Sequence, residues 1–548
     1  MLPRALILVA AAAALHAAQD DTARRIDEVF KQWNKPGTPG AAVAVIEDGK
    51  LTYQKGFGTA HLEYDVPITP DTVFHVASVS KQFTAMSIVL LEQDGKLALE
   101  DDVHKYLPEL PDYGHRLTIR NLLQHTSGIR DQWQTLGLAG WRLDDVITQQ
   151  QILRMLFRQR ELNFAPGTRH LYSNGGFTLL AEIVARVSGK PLPEFCDERI
   201  FRPLGMSRTH FHDDHRRIVP NRAYSYEPAS GGYRASPLNY ANVGATSLFT
   251  TAPDLAKWLD NFRQPKAGGA KAIARLQEQS VLANGETIPY GLGVSTGRYR
   301  GLRTISHGGS DAGYRSYVVW FPDQRLGIAV ASNLSTFNAG NAANQVAVIC
   351  LERQMTEEPP RAQTVARTFV TLAPGAIDPY EGHYRLADLL IQVTKKDGKL
   401  LAAPLGSSPL ELKPISPVRF YAEQMQAEVE FTPKAGSGMT MKLTRMGGTV
   451  EGERITFTPF DPKDLEKYPG AYWSDELETQ YTILLREGKL FADHAHHGEI
   501  ALTPVAKDQF RGATWFMPEV TFGRDAQGKV THVTFGGNRV TGVRFVRR

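Results

Sequence analysis

Residues 77–83 read Ala77-Ser78-Val79-Ser80-Lys81-Gln82-Phe83, and the fold turns on them. They follow an apolar stretch, Thr72-Val73-Phe74-His75-Val76, and open a segment of helical period with no Gly or Pro before Gly95. This predicts a helix with Ser78 at its N-terminus and Lys81 one turn further on the same face. A hydroxyl then stands against an amine, over the positive end of the helix dipole. Serine is a poor nucleophile until a neighbouring base takes its proton. A lysine desolvated on the inner face of a helix can lose enough pKa to be that base or to assist one. A lone Ser-x-x-Lys arises by chance about once in a chain of this length, so the reading depends on its company further along.

The chain has 548 residues, 42% of them hydrophobic and 22% charged, an ordinary composition for a soluble globular protein of roughly three domains. Net charge is +4, and no Lys/Arg run or basic-aromatic stripe argues for nucleic acid. Residues 1–18 carry one arginine, a short apolar run and small residues before Gln19-Asp20, the pattern of a secretory signal peptide. The expected location is therefore secreted or periplasmic. No later stretch reads as a membrane span, and no Cys near the cleavage site offers a lipid anchor. Cys196 and Cys350 are the two cysteines, and two inert buried thiols are expected rather than a disulfide.

Further along, residues 41–47 and 51–56 read as strands around Asp48-Gly49-Lys50, a hairpin signal. Leu122-Leu123-Gln124-His125-Thr126-Ser127-Gly128 precedes a long connection, and His125 is expected to order a loop through its ring nitrogens. Tyr172-Ser173-Asn174 is expected on a loop before a helix over 177–187. His307-Gly308-Gly309-Ser310 is expected between strands over 301–306 and 314–321. Two His-rich stretches, 210–215 and 493–497, read as polar turns rather than metal sites.

After a Pro-rich linker the character changes to short alternating strands with many glycines. Tyr380, Gly382 and Tyr384 recur as Tyr468, Gly470 and Tyr472, and Gly398-Lys399-Leu400 recurs as Gly488-Lys489-Leu490. Two copies of one all-β unit are expected. The organisation is a signal peptide (1–18), a first domain (19–355), a linker (356–375) and two β domains (376–460 and 461–548).

Ser78-x-x-Lys81, Tyr172-Ser173-Asn174 and His307-Gly308-Gly309 occur in the order of three known elements. With Leu122–Gly128, Pro166-Gly167 and Pro203-Leu204-Gly205-Met206, they make residues 22–355 resemble the penicillin-recognising serine hydrolases: class C β-lactamases, DD-peptidases, D-aminopeptidases and related esterases. The β repeats resemble the lipocalin-like barrels of D-aminopeptidases. The resemblance implies an α+β fold, with an antiparallel sheet flanked by helices and an all-helical subdomain, followed by two small all-β barrels. It implies acyl transfer with Ser78 as nucleophile and Lys81 and Tyr172 sharing the proton work, Tyr172 being the favoured base. Asn174 would orient Lys81 or hold a substrate amide. The backbone N–H groups of Ser78 and Ser310 would hold the oxyanion beside His307 and Gly309. No metal or cofactor is expected.

Two departures matter. The third motif begins with His307 where most β-lactamases have lysine, and neutral imidazole is a weaker carboxylate clamp. The loop Gly244-Ala245-Thr246-Ser247-Leu248 also differs from the usual Gly-Gly-Leu. The expected activity is therefore D-aminopeptidase/DD-peptidase-like or esterase-like. A class C-like β-lactamase, or a catalytically silent peptidoglycan-binding protein, stands as the alternative. Expected partners are a D-amino-acid peptide, ester or β-lactam substrate and, in a homodimer, a second copy. No nucleic acid and no stable membrane anchor are expected.

Overall fold

The computed structural model describes residues 20–356 and 369–548, apart from 387–388, 406, 435, 437 and 446–447. The expected signal peptide and residues 357–368 of the expected linker lie outside the described residues. The chain divides into two compact units, 1–358 and 359–548.

The first unit is built on an antiparallel sheet of β1 (Ala41–Glu47), β2 (Lys50–Phe57), β3 (Ser295–Tyr299), β4 (Leu302–Asp311), β5 (Tyr314–Phe321) and β6 (Leu326–Ser332), in the order β3-β4-β5-β6-β1-β2. Asp48 and Gly49 both take positive φ, 50° and 82°, as a tight hairpin between twisted strands requires. The helices that cover the sheet or build the site are α1 (20–30), α2 (Lys81–Gln93), α3 (Asn174–Ser188), α4 (Ala252–Asp260) and α5 (Ala339–Leu351). Ile26 and Phe30 of α1 and Val346 and Ala347 of α5 pack on Val43, Val45, Ile328 and Val330 of one sheet face. On the other face α4 lies so close that a Cβ at Gly327 would meet Leu259 and Ile46 at 2.9 Å. With both faces covered, β1 is apolar almost throughout rather than alternating.

Two expected boundaries shift. Residues 307–311 belong to strand β4 and are not a loop between strands. The His-Gly-Gly run reads as irregular, yet Gly309 is glycine for a steric reason: a Cβ there would fall on the carbonyl oxygen of Val76. Helix α3 starts at Asn174 rather than Phe177, capped by Ser173, whose Oγ accepts from the Gly176 N–H at 3.4 Å. Gly175 and Gly176 weaken the helical signal. At Gly175 the helix passes within 3.0 Å of where a side chain would meet Leu156 and the Arg130 carbonyl.

The second unit holds two closed eight-stranded antiparallel barrels, spanning 382–455 and 470–547. The repeat read from the sequence is a repeat of contacts. Tyr384 donates its hydroxyl to the Tyr380 carbonyl at 2.8 Å, and Tyr472 donates to Tyr468 at 2.7 Å. Arg454 and Arg547 lie over those tyrosine rings at 5.6 and 5.9 Å. Gly382 and Gly470, at φ 149° and 153°, leave room for the two guanidinium groups.

Both cysteines are free. Cys196 is buried with its Sγ 3.2 Å from Ser87 Oγ, and burial pushes its thiol up to about 12. No helix among the described residues is long and apolar enough to cross a membrane.

Candidate active site

A single 3₁₀ turn, Ala77–Ser80, leads into α2. Ala77 has φ 48°, a left-handed conformation uncommon for a residue with a Cβ. The neighbours hold it there. Ser80 Oγ donates to the Ala77 carbonyl at 2.5 Å and accepts from the Leu248 N–H at 3.0 Å. Ser316 Oγ donates to the Val76 carbonyl at 2.8 Å. Strand β3 stops opposite Ser306, so residues 307–311 pair only with β5 and leave one edge open. The turn packs on this edge, against Gly309. Ser78 itself is half-buried, between buried Ala77 and Val79.

Lys81 has no exposed surface. Its Nζ lies 2.7 Å from the Ala245 carbonyl, 2.8 Å from Asn174 Oδ1 and 3.1 Å from Ser78 Oγ. Asp131 Oδ2 fixes the sense of the Asn174 amide, accepting from Nδ2 at 2.7 Å and from the Asn174 backbone N–H at 3.0 Å. Asn174 therefore turns its oxygen to the lysine. Two pure acceptors occupy two N–H bonds of Lys81. The third direction of the nitrogen meets Ser78, where an ammonium donates or a neutral amine accepts the serine proton.

Tyr172 closes the group. Its ring centroid is 4.9 Å from Lys81 Nζ, 4.1 Å from the His125 ring and 6.3 Å from the His307 ring. The three motifs thus meet around one amine. His125 orders the adjoining loop through both ring nitrogens. Nδ1 accepts from the Ser173 N–H at 3.1 Å, and Nε2 lies 3.2 Å from the Tyr290 hydroxyl. Tyr290 is also 3.1 Å from His307 Nε2, and His307 Nδ1 is 2.7 Å from the Gly308 carbonyl. The donors assign the chain: His125 Nε2–H to Tyr290, Tyr290 O–H to His307 Nε2, and His307 Nδ1–H to Gly308. Burial, with a smaller push from the Lys81 charge, lowers His307 to about 4, so its imidazole is neutral.

The loop 244–248 is the buried floor of the site. Gly244 accepts from Thr84 Oγ1 at 2.9 Å, Ala245 accepts from Lys81, and Thr246 donates to Asp311, which His75 meets at 2.9 Å. His210 and His212 stand apart, packed on Phe249. His494 lies in the second barrel, 2.7 Å from Thr479. Sequence reasoning missed Asp131, Ala245 and Tyr290. Asp131 carried a weak signal, as a helix cap three residues after Gly128. Ala245 acts through a backbone carbonyl and Tyr290 through a long-range contact, so neither carried a signal.

The family model described as Beta-lactamase matches residues 23–350. A penicillin-binding protein of Bacillus subtilis (strain 168) is 30% identical over 458 residues, covering 79% of this chain and 98% of that protein. A D-aminopeptidase of Brucella anthropi is 27% identical over 519 residues, covering 91% and 93%. The octameric penicillin-binding protein homologue from Pyrococcus abyssi superposes with a TM-score of 0.55 at 23% identity, over 80% of this chain and 99% of that one, and shares the fold.

Proposed function

Because the chain belongs to the beta-lactamase family of serine hydrolases, we propose that it cleaves amide or ester bonds next to D-amino acids through an acyl-enzyme on Ser78. One observation carries this reading: Lys81 Nζ, held by Asn174 Oδ1 and the Ala245 carbonyl, lies 3.1 Å from Ser78 Oγ.

In this mechanism Tyr172, held toward phenolate by the Lys81 ammonium against its ring, takes the serine proton as Oγ bonds to the substrate carbonyl carbon. The carbonyl π electrons move to oxygen, and the backbone N–H groups of Ser78 and Ser310 receive the charge. Each such donor is worth about 3 kcal/mol in the transition state. Tyr172 passes that proton to the departing amine or alkoxide as the oxyanion electrons re-form the carbonyl and the bond from its carbon to the leaving group breaks. Water then attacks the ester by the reverse relay and frees Ser78. Asn174 holds Lys81 in place.

His307 supports the choice of substrate. A neutral imidazole engaged at both nitrogens offers no cation for a carboxylate beside the scissile bond, as a β-lactam would need. A D-aminopeptidase or short-chain esterase has no such need. The relatives named D-aminopeptidase support the same choice. The all-antiparallel closed barrels are read as lipocalin-like, and the first 18 residues as an export signal, which N-terminal sequencing of the mature protein tests.

A fluorophosphonate is expected to add its mass at Ser78, and Ser78→Ala to lose both labelling and turnover. Labelling that survives Ser78→Ala overturns the assignment. Comparing kcat/KM for D- and L-aminoacyl amides, p-nitrophenyl esters and nitrocefin tests the substrate class. A preference for nitrocefin would favour the β-lactamase reading.

A further inference from the structure

The two barrels are copies of one unit, so their interiors compare position by position. Tyr384 pairs with Ile391 as Tyr472 pairs with Tyr481, which makes Ile391 the counterpart of Tyr481. Continuing the register, Pro404 matches His494, Leu443 matches Phe535 and Gly452 matches Phe545. In the second barrel these four side chains are buried and fill the centre. Ring centroids are 4.7 Å apart for Tyr481–His494, 5.1 Å for Tyr481–Phe535 and 4.7 Å for Phe535–Phe545. In the first barrel two aliphatic side chains, a proline and a glycine stand in their place.

The consequence is a cavity of about 550 Å³, to which all eight strands of the first barrel contribute lining side chains. One end of the barrel is blocked by the packed rings of Tyr380, Tyr384, Phe420 and Phe431. Apart from Ser408, the polar lining comes from one place, Arg511, Glu519 and Asn538 of the second barrel. Met425 and Met441 give the apolar wall side chains that adapt to a guest. The volume lies within the range of about 300–1,000 Å³ usual for small-molecule sites, and the lining is mostly apolar with polar groups gathered on one side.

We propose that the hollow first barrel binds a single-chain amphiphile of the fatty-acid class, its tail in the lumen and its carboxylate toward Arg511. The second barrel, filled by its own aromatic side chains, does not. The proposal stands independently of the hydrolytic reading.

The test titrates the full-length protein with dansylundecanoic acid and then displaces the probe with dodecanoate. Saturable one-to-one binding and complete displacement are expected. Ile391→Phe with Leu443→Phe brings the second barrel's plug into the first, and at least about a tenfold loss of affinity is expected, with unchanged thermal midpoint and hydrolytic turnover. Gly452 is left alone, because a Cβ there would strike the Arg385 carbonyl. If the double variant does not fold, Ala402→Trp fills the same space from another strand. Absence of saturable binding, failure of dodecanoate to displace the probe, or full affinity in a folded plugged variant overturns the proposal.

Discussion

The Tyr290 hydroxyl lies 3.1 Å from His307 Nε2 and donates its proton to it. An imidazole that accepts at one nitrogen and donates at the other is locked in one neutral tautomer. Tyr290 holds His125 by the same oxygen, at 3.2 Å. One buried phenol thus ties the loop beneath Tyr172 to the strand that borders Ser78.

Tyr290→Phe is expected to lower kcat/KM by about tenfold, in line with the loss of one buried hydrogen bond. It also removes a donor that favours the neutral form of His307, so the pKa of that imidazole rises. The acid limb of the kcat/KM profile is expected to move to higher pH. An unchanged limb would show that His307 does not govern activity.

Asp131 acts through Asn174. Asp131→Ala frees the amide to turn and loosens the Lys81 nitrogen. A fall in kcat of about 10²-fold with little change in KM is expected, as for a misplaced catalytic group. Asp131→Asn keeps one acceptor oxygen and is expected to recover part of the rate. A purely structural role would instead change stability and leave kcat per folded molecule intact.

Gly309→Ala places a methyl group on the Val76 carbonyl and on Ser316 Oγ. Backbone on one side and a buried hydrogen bond on the other leave no room to yield. A destabilisation of about 1–3 kcal/mol is expected in urea unfolding, together with a loss of Ser78 labelling, because the turn carrying Ser78 is displaced.

His307, His212 and His494 are each lowered to about 4, in every case chiefly by burial. Between their native values and the ordinary value near 6.5, the unfolded chain binds protons that the native chain does not. Stability is therefore expected to fall as pH drops from about 6.5 to about 4 and to level off, as far as these groups are concerned, below that. Replacing His212 with Phe is expected to flatten the slope in urea unfolding across this window.

The matched tyrosines test whether the barrels are equivalent units. Tyr384→Phe and Tyr472→Phe each leave a carbonyl without its donor, and each is expected to cost about 1–3 kcal/mol. The effect is expected on the unfolding of the second unit, while Ser78 labelling remains.

Local pattern carried much of this protein. Ser78 and Lys81, three residues apart at the head of an apolar helical run, must share a face wherever that helix lies. Asp48-Gly49 between apolar runs dictates a hairpin, and tyrosines recurring at a shift of 88 dictate a repeated β unit. Each follows from the short-range geometry of the backbone. Tertiary structure alone decided which atoms complete the site. The Ala245 carbonyl is a backbone group that any residue could supply, and Tyr290 reaches His125 across 165 positions. It also decided that one barrel is hollow and its copy full, since Leu443 and Gly452 become informative only when strand register sets them opposite Phe535 and Phe545. Periodicity fixes which way a side chain points, but what it meets there depends on contacts that only the folded chain brings together.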